Sequence, residues 1–288
     1  MDIIKNSGKK VKFNPIKVKQ TCLRAGASQI LSDEIVEEVS RRVYSGMKTY
    51  DILKLIINLL NRKNPAVAAR YSLKKAMMDL GPAGFIFEEF IKRLLKSYHC
   101  QAYFPPLIQG GCVKHEVDII AKLPKEDNQL TRIPLSQGKL YMIECKYHNT
   151  PGLRSGLKET LYVWARFLDL KEVYKFNYQE KINYPWLISN TKFSIEAIKY
   201  ANCKNMRLLG WKYPRGASLE NLIESQKFYP ITILKSLDQN TKGILFTKNI
   251  ILVRDLISNS AKTLEKRLGL TGGKLEKLIS EAKLIINS

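Results

Sequence analysis

Asp118, followed after an intervening stretch by Glu144-Cys145-Lys146, is the set of residues whose types and spacing point most directly to chemistry. Two carboxylates brought to one point repel each other unless a cation lies between them, and an all-oxygen donor set selects hard ions such as magnesium or manganese. Such an ion polarises a phosphodiester and acidifies a bound water, while a neighbouring lysine orients that water and offsets charge in the transition state. Asp118 and Glu144 are thus candidate metal ligands and Lys146 a candidate catalytic cation for phosphodiester hydrolysis. A Glu-x-Lys pair on a strand is also what the solvated face of any lysine-rich chain presents, so these residues alone leave both readings open.

The elements that must position them are two strands and a helix. Residues 113–120 and 140–148 read as strands, and alternation along the second puts Glu144, Lys146 and His148 on one face, with Tyr141, Ile143, Cys145 and Tyr147 on the other. Upstream, residues 84–96 read as an amphipathic helix whose apolar stripe is Phe87, Phe90, Ile91, Leu94 and Leu95. Glu88 lies at the edge of that stripe and reaches toward a sheet; Glu89 falls with Lys92, Arg93 and Lys96 on the side turned to solvent.

The order Phe-Glu on a helix, Glu-Val-Asp-Ile-Ile on one strand and Ile-Glu-Cys-Lys on the next resembles the PD-(D/E)XK nuclease superfamily, and within it the Mrr-like restriction endonucleases. The resemblance implies a mixed sheet flanked by helices and a DNA endonuclease. It makes Glu88 an accessory helix acid, Asp118 and Glu144 ligands of Mg2+ or Mn2+, and Lys146 the motif lysine. Glu144 stands where Mrr enzymes commonly have Gln, and residues 116 and 117 are Glu and Val rather than Pro-Asp. Two alternatives remain: a noncatalytic, nucleotide-responsive DNA-binding protein, and a branched-DNA resolvase on the same core.

The N-terminal stretch reads as a separate unit. Ile3-Ile4-Lys5 and Val11-Lys12-Phe13 flank a Ser-Gly turn, which predicts a short hairpin. Helices are expected from Asn14-Pro15, from Ser32-Asp33, from Thr49 and from Pro65. By its residues this is a basic hairpin on a helical bundle with an unspecified binding site. Lys5, Gly8, Val11, Phe13, Asn14, Pro15, Lys17, Ala25-Gly26 and residues 69–73 resemble the ATP-cone, a nucleotide-sensing domain. The resemblance implies ATP or dATP as a bound regulator, with Lys5, Lys12, Phe13 and Lys17 as its contacts. Asn6 stands where that family usually has Arg, which removes one expected phosphate contact. No Gly-Lys-Ser/Thr phosphate loop is present, so ATP hydrolysis is not expected.

Composition agrees with a polyanionic partner. Lys and Arg total 48 against 26 Asp and Glu, a formal net charge of +22. Each phosphate neutralised by such a surface releases condensed counterions, which makes DNA the leading partner. No apolar run approaches a membrane span and no signal pattern opens the chain, so neither a membrane nor a secreted protein is expected. Five scattered cysteines without metal-type spacing suit a reducing cytoplasm.

The remaining stretches complete a multidomain α/β chain: a helical unit with a short hairpin (1–80), a mixed sheet flanked by helices (81–215) and an α-rich region (216–288). Residues 123–138 read as a long hairpin loop and Gln109-Gly110-Gly111 as a turn or a phosphate approach. Leu157, Leu161, Trp164 and Leu168 repeat at helical spacing and are expected in the core. Strand, helix, strand is expected over 185–190, 194–202 and 206–211, and beyond it short helices at 219–225 and 232–237, with strands at 243–246 and from 249. The tail reads as two helices about a glycine turn and weakly resembles a helix-hairpin-helix, which implies DNA phosphate contacts at Gly272, Gly273 and Lys274; a plain helical hairpin explains the same letters. A homodimer is an admissible assembly.

Overall fold

The computed structural model describes all residues except 6, 82–83, 125–137, 174–180, 259–260, 270–272 and 288. It is a mixed α/β chain that forms two compact units, Met1–Met77 with Tyr229–Ser288 and Met78–Phe228. Two boundaries differ from the sequence reading. Residues 216–228 belong with the sheet, and the remaining tail packs with the N-terminal helices rather than standing as a third unit.

In the first unit, β1 (Asp2–Ile4) and β2 (Lys10–Lys12) pair antiparallel with Ile3 opposite Val11. Gly8 closes the turn at φ 77°, where a side chain is strained. Four helices follow in α1 (Pro15–Arg24), α2 (Gln29–Arg42), α3 (Thr49–Lys63) and α4 (Pro65–Tyr71), continued by α5 (Leu73–Met78). Asn14 and Asn64 cap α1 and α4 ahead of a first-turn proline. The start expected at Ser32 lies a turn earlier: the Ser28 hydroxyl accepts from Leu31 N, and Ser32 is already buried in α2. Val18, Cys22, Ile35, Val39, Ile56, Leu60 and Val67 form the core.

The second unit opens with α6 (Phe85–Ser97), whose Phe87, Phe90, Ile91, Leu94 and Leu95 are all buried, as their spacing predicts. Its sheet is built from β3 (Gln101–Tyr103), β6 (Ile119–Lys122), β7 (Leu140–Lys146), β9 (Tyr184–Ser189) and β11 (Arg207–Leu209), in the order β11-β9-β7-β6-β3. The β3–β6 and β6–β7 pairs are antiparallel and β7–β9–β11 parallel. Before β6 the chain makes a small hairpin of β4 (Ile108–Gln109) and β5 (Lys114–His115), so residues 113–120 are two short strands with a bend at Asp118 rather than one. Most of the loop expected at 123–138 lies outside the described residues.

β8 (Arg154–Ser155) leads into α7 (Leu157–Val173); β10 (Lys192–Phe193) into α8 (Ile195–Cys203). Both helices pack on one face of the sheet, through Val163, Phe167, Leu170, Ala197 and Ala201 against Ile120, Leu140, Met142 and Leu187. The expected core stripe of α7 is out of phase except at Trp164, which packs half-buried against the core. Leu157, Leu161 and Leu168 are 38%, 45% and 42% exposed, while Thr160, Val163, Phe167 and Leu170 are buried. Both sets recur at helical spacing, so periodicity alone could not choose between them.

After α9 (Leu219–Ser225) the chain returns to the first unit with a single 3-10 turn at Ile231–Ile233, α10 (Gln239–Thr247), α11 (Val253–Ile257), α12 (Ala261–Leu268) and α13 (Gly273–Asn287). Residues 243–246, expected as a strand, lie within α10, which Asp238 caps by accepting from Thr241 N. Leu275, Leu278, Ile279, Ala282 and Ile285 bury one face of α13.

Candidate functional site

β7 is the central strand of the sheet and is buried along nearly its whole length. Its alternation runs as the sequence predicts. Met142 joins the core under α7 and α8, and Tyr147 meets Phe87 of α6 with ring centroids 5.7 Å apart on the other face. Glu144 therefore faces α7, where Arg166 Nη1 donates to its Oε2 at 2.5 Å. The polar face of the strand is not an open surface: Glu144 is 8% exposed, beneath that arginine.

Asp118 is held at the bend before β6, where its Oδ2 accepts from the Cys145 amide at 2.7 Å. That bond ties the acid to the strand carrying Glu144 and Lys146. Cys145 itself is buried, and its thiol is pushed well up by burial, then by Asp118, Glu88 and Glu144. It is a packing residue rather than a nucleophile.

The acids feel one another. Burial, then the charges of Asp118 and Glu116, push Glu88 up to about 7. Burial and Asp118 push Glu144 up to about 7 against the opposing pull of Arg166 and Lys146. Asp118 is also raised, by burial, against the Cys145 amide and the Arg166 and Lys146 charges. The fold thus assembles Glu88, Asp118, Glu144 and Lys146 within electrostatic range, with Glu116 and Arg166 beside them. Among the described residues no three His, Cys, Asp or Glu side chains form a ready metal cage, and Glu144 is paired with Arg166.

Two expectations about neighbouring residues change. Glu89 does pair with Lys92, at 2.6 Å, but it is 8% exposed rather than solvent-facing, and the Lys92 ammonium lies 3.7 Å from the Phe104 ring centroid. Gly110 and Gly111 do not leave a path for phosphate. The Asp169 carboxylate of α7 fills it, accepting from the Cys112 amide at 2.7 Å and contacting His115 Nε2 at 2.6 Å. A Cβ on Gly110 would stand 2.1 Å from Asp169 Oδ2, so glycine is required there by close approach. His148 meets the buried Ser155 hydroxyl at 3.1 Å, and burial lowers its pKa.

In the first unit Lys5, Lys12 and Lys17 are exposed and Phe13 packs half-buried on the core. The Lys17 amide is taken by Asn14 Oδ1 at 3.2 Å, so that position offers an ammonium rather than a free helix amide. Asn6 lies outside the described residues. Ala25-Gly26 and Arg70, separate in the sequence, are joined by the fold. The buried Arg70 guanidinium donates through Nε to Ala25 O at 2.7 Å and through Nη1 to Ile285 O of α13 at 3.5 Å. Gly26 at φ 82° admits it, since a Cβ there would meet Arg70 Nη2 at 2.6 Å.

In the tail, Gly272 lies outside the described residues and Gly273 opens α13 exposed. Lys274 forms an ion pair with Asp238, so its ammonium is already engaged. Among the described residues no helix is long and apolar enough to cross a membrane.

Residues 1–77 match the ATP cone domain and residues 229–286 match the C-terminal AF1548-like domain; the stretch between the two matches carries the acids described above. An uncharacterized protein of Archaeoglobus fulgidus is 37% identical over 194 residues, spanning 67% of this chain and 98% of its own. The crystal structure titled as that of protein of unknown function AF1548 matches with a TM-score of 0.56 at 35% identity, over 72% of this chain and 100% of its own. The chain belongs to the AF1548-like family.

Proposed function

We propose that this protein is a metal-dependent DNA endonuclease of PD-(D/E)XK, Mrr-like type, regulated by ATP or dATP on its ATP-cone and acting in the cytoplasm. The observation that carries the reading is the electrostatic coupling of Glu88, Asp118 and Glu144, with Lys146 acting on the last two, where burial and mutual charge drive the acids toward protonation. A binding module gains nothing from acids placed where phosphates must approach. The helix, antiparallel strands and parallel strands that frame them are the elements such a nuclease core uses.

The donors fit a hard divalent cation. They are oxygens, and the repulsion that raises their pKa values is what a doubly charged ion relieves. Asp118 and Glu144 would hold Mg2+ or Mn2+, with Glu88 beside them; the ion would supply Lewis-acid polarisation and an acidified water. Lys146 would orient that water and stabilise developing phosphate charge. The excess of cations over the chain supplies non-specific attraction for DNA.

A noncatalytic, nucleotide-responsive DNA-binding role is favoured by one observation, the ion pair of Glu144 with Arg166. Incubation of purified protein with supercoiled plasmid, with Mg2+ or Mn2+ and with EDTA, separates the two. The nuclease reading expects nicking that needs the divalent ion and is lost in Asp118→Ala, whose DNA binding persists; nicking retained by that variant would show that Asp118 is not at the catalytic centre.

A further inference from the structure

The chemistry assigned above leaves the most confined cation of the site without a task. Arg166 lies on α7 with only 10% of its side chain exposed. One terminal nitrogen donates to Glu144 and the other to the Tyr162 hydroxyl, one turn earlier on the helix. The guanidinium also lies over the Tyr162 ring, 4.6 Å from its centroid. Its Nε is buried and has no acceptor among the described residues.

That geometry is half of a recognition site. A guanidinium presents a planar fork matched to two oxygens of one anion, and here the fork meets a carboxylate through one nitrogen while a buried N–H goes unused. Tyr162 holds the plane from below by stacking and from one edge by its hydroxyl, so the group is preorganised rather than free to wander. Lys146 is a point charge and does not offer the planar fork. The unused donor lies beside the acids around which a phosphodiester would be cut.

We propose that Arg166 is the anion-binding residue of this site: it is parked on Glu144 in the free protein and turns its guanidinium to a nonbridging oxygen of the DNA phosphodiester once a divalent cation engages that carboxylate. The proposal rests on the nuclease reading and adds to it a residue outside the acid-and-lysine motif.

The test uses Arg166→Met and Arg166→Gln in the full chain, with two readouts that should move in opposite directions. Calorimetric titration without DNA should show Mn2+ binding about tenfold tighter in both, the worth of the charged hydrogen bond that no longer competes for Glu144. Plasmid cleavage at saturating Mn2+ should fall by about a hundredfold, the loss of one preorganised charge donor at the transition state. An arginine that merely braces the fold would weaken both. Unchanged or weaker Mn2+ binding, or undiminished cleavage, overturns the proposal. If the Met variant does not fold, the Gln variant, which is polar but carries no charge to hold Glu144, carries the same two readouts. A wild-type protein that neither binds Mn2+ nor cuts DNA overturns the nuclease reading itself, before either variant is consulted.

Discussion

Adding Mn2+ to the metal-free protein at pH 7 should expel about one proton per chain, a magnitude that follows from the crowding of the acids. Glu88 and Glu144 each carry a folded pKa of about 7, so each is half protonated at that pH. A cation that requires both carboxylates ionised therefore displaces about half a proton from each, and Asp118, which is also raised, adds to the release. Between pH 6 and pH 8 the same two groups should tighten Mn2+ binding by up to about a hundredfold, about tenfold for each acid that must lose its proton. Glu88 is partly exposed, so its share is the more heavily screened. The sign for stability runs the other way. Both acids bind protons more strongly folded than unfolded, so the metal-free protein should lose stability as pH rises from about 4.5 through about 7. Glu144 contributes up to about 3 kcal/mol of that loss, and saturating Mn2+ should abolish it. Calorimetry in buffers of different ionisation enthalpy counts the protons directly. Tight Mn2+ binding with no proton release and no pH dependence would refute the crowded-acid account of the site.

Glu88→Gln should reduce cleavage with little change in melting temperature, whereas Glu89→Gln should leave cleavage per folded molecule unchanged but lower stability by about 1–3 kcal/mol, because Lys92 loses a buried partner; denaturant unfolding beside plasmid assays checks the pair. ATP or dATP at millimolar concentration should raise the melting temperature, and Lys17→Ala should remove the shift, since a ligand held only by the folded state stabilises it by mass action. Gly110→Ala should destabilise by about 2–3 kcal/mol, because its Cβ would displace the Asp169 carboxylate from the Cys112 amide; a melting temperature equal to wild type would show that the hairpin yields freely. Lys274→Ala should leave the salt dependence of DNA binding unchanged, because the ammonium is engaged by Asp238; a slope shallower by about one unit would restore it as a phosphate contact.

Much of the scaffold was legible because it is written in local chemistry. The cap at Asn14, the proline-led helices, the stripe of α6 and the face alternation of β7 are set by hydrogen bonds and periodicities a few residues long. The grouping of Glu88, Asp118, Glu144 and Lys146 was legible only through resemblance, since residues 88 and 144 meet by folding and not by spacing. What sequence could not supply were the contacts that cross elements. Arg166 gives no local signal of reaching Glu144, nor Asp169 of filling the space over Gly110, nor Arg70 of joining Ala25 to Ile285. The phase of α7 failed for the same reason: two apolar stripes were available on one helix, and only the shape of the sheet it covers selected Val163, Phe167 and Leu170. The tail's place was decided likewise, as α13 packs on α11 and α12 close by in the chain but also on α4, more than two hundred residues earlier. Local propensity sets which elements form; which of their faces meet is set by burial and charge summed over the folded unit, and that sum exists only in three dimensions.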